Sequence, residues 1–533
     1  MGVGKIEYND IIFEFDRAWN IFTPERLNII TTNLADSGIE EDNEFYERYF
    51  IDVLRNSLKP NEVIELERWY EYVKDGSSFK LWRDKDVYQF WGFEGKSTND
   101  NDENAVTSFT RTGVANNIDP YTGLVTSVAE NTARFESGKF GDTSGALLIE
   151  DAITNILTDT EDFDLAGDWD SAHVSVTTNQ AIAPDGNLTA DKLDGGIDQT
   201  IYNVNTATVI GTNDGCGSIW LRCTTETETV KIQLVDHILT LLAEESVTVT
   251  TSWQRFHVGY DNPGTSGNNW GFQIKFTENA TIVYAWGAQI EVGTRYPTSY
   301  ITGEATRNTE TLYVTLDSDR LDLEEFTISA WIKVPWDNTD LELNNTDRYI
   351  TMFTISGAAD APPNNQALAL YMYGTLSPSP VTFVEIKVNN YENDQFRGIV
   401  ASSAFSADTW IYVAVTCICN HTTTTCSINV YVDGVLIDSS TDTNFIPSAF
   451  DRCYIGSAGW TGTHLDGLID DFFIENKAIS AGEVAARYNS GKSRGIRKNY
   501  FPAVKLVEPS FKPIQQVGAH RYNFQAKFKE ELT

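Results

Sequence analysis

Residues 428–437 read INVYVDGVLI: an apolar strand, an Asp433-Gly434 pair and a second apolar strand. An Asp-Gly pair between apolar runs is a strong local signal for a tight β-hairpin, because both central positions take positive φ. Similar strand-like runs lie on either side, with FTISAWIKV at 326–334, TWIYVAVT at 409–416 and GLIDDFFIE at 467–475. Runs of this length rich in β-branched and aromatic residues predict strands. KAISAGEVAARYNSG at 477–491 then places Ser480 ahead of a short helix that closes the unit.

Outward from this unit the pattern continues. SIWLRC (218–223), TVKIQLVD (229–236), QRFHVGY (254–260) and GFQIKF (271–276) alternate between Gly, Asn and Pro turns, predicting a second all-β unit. A chain of 533 residues has room for three or four domains at about 150 residues each. Its 41% hydrophobic and 12% aromatic content can fill real cores and excludes global disorder. The net charge of −37 repels phosphate backbones and anionic lipid heads, so neither nucleic acid nor a membrane surface is expected as a partner. No apolar run approaches the roughly 20 residues that span a bilayer, and MGVGKIEYND lacks the apolar stretch of a signal peptide, which points to a cytoplasmic start.

The two ends differ from the middle. Before residue 97, KIEYNDIIFEF and SSFKLWRDKDVYQFWGFEG read as strands around a helix. That helix has Pro60 in its first turn, Val63, Leu66, Trp69, Tyr70 and Val73 on one face, and Gly76 as its stop. The polar run STNDNDEN at 97–104 reads as a linker. After Ala486 ten basic residues face three acidic ones, and RYNFQAKFKEEL alternates like a strand, so this segment is expected to return and pair with the N-terminal unit. Cys216 and Cys223 lie seven residues apart on one strand, too far to bridge, and are expected as free thiols. Cys419 and Cys426 flank the turn NHTTTT, where they could pair across a hairpin or serve as small buried hydrophobes.

Three stretches also carry resemblances. Phe109-Thr110-Arg111, the turn Asp119-Pro120-x-x-Gly123, Asn131-x-x-Arg134-Phe135 and Leu148-Ile149-Glu150, leading into Asn155-Ile156-Leu157, resemble a connector found in bacteriophage tail and fibre proteins. NILTDTEDFDLAGDW (155–169), APDGNLTADKL (183–193) and WGAQIEVGTRYPTSYI (286–301) resemble the carbohydrate-binding-module-like jelly roll that follows it. The strands from 326 to 475 with their closing helix resemble a laminin-G-like, concanavalin-type jelly roll. Gly76, Phe79 and Trp82 after the N-terminal helix resemble adaptor domains of phage tail tips.

The resulting fold class is mainly β: a small α+β N-terminal adaptor followed by two β-sandwich jelly rolls in tandem. The expected boundaries are 1–97 for the adaptor, with 497–533 as its completing segment, and 98–150 for the connector. The sandwiches take 151–307 and 308–491, and 492–533 is the basic C-terminal segment. These resemblances imply a virion protein of the tail tip, baseplate or fibre, assembled in the host cytoplasm as a homo-oligomer. Its implied partners are other phage structural proteins, bound through both terminal segments, and a host surface polysaccharide. A capsid decoration or head fibre and a polysaccharide depolymerase are the alternatives.

Sugar binding in jelly rolls uses exposed aromatic rings with neighbouring amides and carboxylates. Trp270, Trp336, Tyr373 and Trp460 sit in turn-rich stretches, and His464 and Asp466 follow Trp460 closely, so these six are the candidate glycan-binding residues. No catalytic residue is nominated, since no Gly-x-Ser-x-Gly, HExxH or phosphate loop occurs, and the scattered histidines form no triad. In IDDFFIE the adjacent Asp470 and Asp471 are expected on opposite faces of a strand, so they could not flank one glycosidic bond. No cofactor is expected beyond calcium, which the laminin-G-like resemblance leaves open without naming ligands.

Overall fold

The computed structural model describes residues 107–316, 324–336, 406–442, 452–457 and 464–489, apart from short breaks at 140–144, 165–167, 172, 206–212, 225–226, 263–268, 421 and 424. Elsewhere it describes the backbone of the strands named below. The described chain is mainly β, in antiparallel sheets with a single described helix, Ala481–Asn489.

The sandwich around the Asp433-Gly434 hairpin has two facing sheets. One runs Arg134–Ser137, Gly145–Ile149, Gly467–Glu475, Glu325–Lys333, Ile411–Asn420, Thr425–Val432, Val435–Asp442. Val87–Trp91 also pairs with Gly467–Glu475. The other runs Glu385–Asn390, Ala367–Tyr373, Tyr349–Ser356, Arg452–Ile455, Thr311–Thr315, Thr107–Thr110. Alternate residues of both point inward, so Phe326, Ile328, Ile332, Val413 and Val415 share one core with Leu312, Val314 and Ile455. Each such side chain contributes about 1.5–3 kcal/mol by leaving water.

On the outside of the first sheet, Trp331, Tyr412 and Tyr431 are covered by Ile479 and Val484 at the closing helix. Ser480 caps that helix: its Oγ accepts from Glu483 N at 3.3 Å, and its own N–H donates to Glu483 Oε2 at 2.8 Å. The hairpin turns through Asp433 (φ 48°) and Gly434 (φ 78°), the left-handed pair that lets Val432 face Val435. Cys419 and Cys426 are register partners and form a disulfide, while Cys216, Cys223, Cys417 and Cys453 are buried free thiols.

One strand departs from simple alternation. The pairing of Gly467–Glu475 with Glu325–Lys333 slips between Ser329 and Trp331, and Asp471 there has φ 45°. Asp470 and Asp471 are both buried, at 1% and 5% exposure, as is every residue of the strand Gly467–Glu475. A bulge inserts one residue and re-aims its neighbours, which period-two reading cannot foresee.

The other sandwich packs Ser175–Ala181, Ala190–Gly195, Thr281–Val292, Ile153–Asn155 and Ala305–Arg307 in one sheet. Gly215–Cys223 pairs on the same long strand and with Gln254–Tyr260. The facing sheet runs Trp169–Asp170, Thr200–Val204, Trp270–Phe276, Glu228–Asp236, Leu241–Val249. The chain enters this unit from Gly145–Ile149 and leaves it into Thr311–Thr315, both strands of the Asp433-Gly434 sandwich. The strands at 107–110, 134–137 and 145–149, read from sequence as connector, therefore lie in that sandwich's sheets.

A further sheet orders Ile11–Glu14, Lys5–Tyr8, Phe79–Trp82, Tyr500–Leu506, Arg521–Glu530, Glu40–Leu58, Ile21–Leu34, with Lys512–Gly518 paired to Arg521–Glu530. Phe45, Tyr46, Tyr49, Phe50, Val53 and Leu54 recur at helical spacing within Glu40–Leu58, so pairing with neighbours, not local pattern, sets that strand. The helix read at 60–76 lies outside the described residues.

Candidate functional site

The outward face of the five-stranded sheet gathers polar side chains into a row. Cross-strand register places Asp170, Tyr202, Gln273, Gln233 and Glu244 side by side on successive strands. A second row, Thr200, Lys275, Lys231 and Ser246, runs parallel to it. The inward residues between them, Ile201, Ile274 and Ile232, are buried in the sandwich core, which fixes which face these polar groups take.

The rows are held in place by their own contacts. Tyr202 Oη donates to Asp170 Oδ2 at 2.6 Å, and this bond, with partial burial, pushes the phenol pKa up. Lys231 Nζ and Gln233 Nε2 both reach the Glu244 carboxylate and hold its pKa below the usual range. Lys275 Nζ lies 3.0 Å from Asp198 Oδ1. The half-buried Gln273 at the centre has no hydrogen-bond partner among the described residues. Amide, carboxylate and ammonium groups beside a phenol ring supply both donors and acceptors to a polyhydroxy ligand. None of these row residues was nominated from sequence. Their outward alternation in GFQIKF and TVKIQLVD was visible, but their alignment across strands was not.

The nominated residues lie elsewhere. Trp270 is 2% exposed in the core of its sandwich, edge-on to Tyr260 with ring centroids 5.6 Å apart. Trp336 is 2% exposed within the other core. Both correct the expectation of exposed ring faces: alternation along Trp270–Phe276 turns Trp270 inward, and Trp336, just beyond the strand Glu325–Lys333, packs into the neighbouring core. His464 is also buried: Nε2 lies 2.7 Å from the Glu310 carbonyl oxygen and Nδ1 lies 3.5 Å from Asp151 Oδ2. Asp466 is half-buried and its Oδ1 accepts from Asp151 N at 2.7 Å. His464 and Asp466 thus hold the junction between the sandwiches. Trp460 and the side chain of Tyr373 lie outside the described residues.

The connector motif residues converge on that same junction. Arg134 forks onto Glu310, with Nε 2.8 Å from Oε1 and Nη2 2.7 Å from Oε2, and Nη2 also reaches Glu150 Oε2 at 2.5 Å. Arg111 Nη1 meets Glu310 Oε1 at 2.6 Å, and Arg307 Nη1 meets Glu150 Oε2 at 3.2 Å. Ser299 Oγ donates to Glu150 Oε2 at 2.7 Å, and Arg134 Nη1 donates to the Asn116 carbonyl oxygen at 2.6 Å. All five charged side chains are at most 4% exposed, a buried cluster that ties the motif strands to the segment leaving the inserted sandwich.

Burial alone would raise the Glu150 pKa, but Arg307, Arg134 and Ser299 outweigh it and bring it down to about 2. A folded pKa below the unfolded value, about 4.3, gives stability that is complete above that value and is lost as pH falls through the folded one. Wild-type stability is expected to fall between about pH 5 and pH 2, and Glu150→Gln should fall less steeply. Urea titrations at stepped pH check this, and equal slopes would assign the acid sensitivity to other carboxylates.

Asp470 accepts from Lys139 N and Asp471 N, both at 2.8 Å, and no three His, Cys, Asp or Glu side chains among the described residues converge to hold a metal.

Residues 308–485 match the family described as the concanavalin A-like lectin/glucanases superfamily, about a third of the chain. No curated protein matches the chain. Among solved structures, a heptameric SAP-like pentraxin from Limulus polyphemus is 14% identical over 33% of this chain and 75% of its own, with a TM-score of 0.25. Domain 4 of the extracellular GH43 arabinanase from Geobacillus stearothermophilus, in complex with arabinotriose, is 18% identical over 39% of this chain and 82% of its own, with a TM-score of 0.23. The tandem CBM22 domain of Xyn10C from Paenibacillus barcinonensis is 11% identical over 62% of this chain and 99% of its own, with a TM-score of 0.22.

Proposed function

We propose that this chain is a non-enzymatic structural protein of a bacteriophage virion, in the tail tip, baseplate or fibre, that presents β-sandwich modules for adhesion to host surface glycans. The observation that carries the glycan reading is the polar row on the five-stranded sheet, where Tyr202, Gln233, Glu244 and an unpartnered Gln273 lie side by side. The lectin-like family match over 308–485 supports it. The phage reading rests on the connector resemblance, and on that reading the sheet formed by strands from both chain ends is the anchor while the sandwiches face outward. Weak single-site contacts would multiply over the many copies on a particle.

Full-length protein is expected to bind purified host surface polysaccharide saturably without releasing reducing ends. Tyr202→Ala and Gln273→Ala should each weaken binding about tenfold, the effect of losing about 1.4 kcal/mol of contact. Titration calorimetry with a reducing-end assay reads both outcomes. Absence of binding overturns adhesion, and cleavage makes the chain a depolymerase. A blot of virions and tail-less particles tests the location, since a tail component disappears with the tails.

A further inference from the structure

A cavity of about 150 Å³ lies in the seam where the motif strands meet both sandwiches. That volume is about five waters at ~30 Å³ each, near the bulk of one sugar ring. Its wall draws Asn117 and Glu136 from the motif strands, Arg255 from one sandwich, and Lys333 and Asp408 from the other. Clefts between modules are the common location for small-ligand sites.

Several of these groups have unused hydrogen-bonding capacity. Arg255 is fixed by bonds from Nη1 to the Thr298 carbonyl oxygen at 2.5 Å and from Nη2 to Ser218 Oγ at 3.0 Å, with its guanidinium 4.4 Å over the Trp220 ring. Its buried Nε has no partner. Lys333 makes no ion pair or hydrogen bond among the described residues, and lies 5.8 Å over the Trp410 ring. Glu136 accepts from Ile118 N through Oε1 at 3.0 Å, leaving its second oxygen open. Desolvation, foremost, raises the Glu136 pKa.

We propose that this seam cavity is a second carbohydrate site, distinct from the sheet face, that takes one neutral sugar unit. Arg255 and Lys333 donate while Glu136 and Asp408 accept, which matches hydroxyl groups, since each donates and accepts at once. The carboxylate of an acidic sugar only accepts and would face the Glu136, Asp408 and Asp466 carboxylates across the cavity. The site needs both sandwiches in place, so its occupant stabilises their junction by binding only the assembled form.

Saturation-transfer NMR on the full chain with glucose, galactose, N-acetylglucosamine and glucuronic acid tests the proposal. At least one neutral sugar is expected to bind saturably and glucuronic acid not to bind. Lys333→Met and Glu136→Gln should each weaken the neutral sugar about tenfold. The proposal is overturned if no neutral sugar binds, if glucuronic acid binds best, or if both seam variants bind as wild type. A signal lost in Tyr202→Ala but kept in both seam variants overturns the seam site and supports the sheet face. Polysaccharide binding without any monosaccharide binding also overturns it, leaving the adhesion reading in place. Should one seam variant fail to fold by circular dichroism, the other decides.

Discussion

Arg134→Ala is expected to destabilise the folded chain by about 3–5 kcal/mol, because it leaves buried charge without its partner. The side chain is fully buried and satisfies both oxygens of Glu310, one of Glu150 and the Asn116 carbonyl together. Its removal leaves two buried carboxylates to Arg111 and Arg307, neither of which can take over the fork. At about 2–4 °C per kcal/mol for a domain of this size, the thermal midpoint should drop by roughly 6–20 °C. Glu310→Gln should fall short of this, since the amide keeps one acceptor for Arg111 or Arg134. Scanning calorimetry of the two variants checks the order, and a midpoint within a degree or so of wild type for Arg134→Ala would mean that the cluster adds nothing to stability.

Trp270→Ala is expected to cost about 3–5 kcal/mol, the usual result of truncating a buried tryptophan. The ring packs directly over Gly215, where an added Cβ would lie 1.6 Å from its Cζ3 atom, so the two positions form one contact across the sandwich. Gly215→Ala should therefore destabilise the same sandwich, even though it adds a single methyl group. Urea unfolding followed by tryptophan fluorescence measures both. The informative failure would be a Trp270→Ala protein that keeps wild-type stability and loses polysaccharide binding, which would return this residue to the ligand-contacting role read from its turn-rich flank.

The β class, the Asp433-Gly434 hairpin and the helix cap at Ser480 are legible in the residue order, because each depends on residues adjacent along the chain. That order also singled out Arg111, Arg134 and Glu150 as motif residues, without a reason for their pattern. That reason is tertiary: their partners Arg307 and Glu310 arrive only after the chain has passed through an entire inserted sandwich. The same limit bears on Trp270 and Trp336, since a turn-rich flank does not say whether a ring beside it points to solvent or into a core. Asp470 and Asp471 are both buried because Gly467–Glu475 is covered along its whole length, which local alternation does not tell. The row of Tyr202, Gln273, Gln233 and Glu244 draws on four strands spread between residues 200 and 276, and only hydrogen-bond register between those strands brings the side chains level. A strand's own period fixes which of its residues share a face; which residues stand beside them is decided by pairing and packing across the fold.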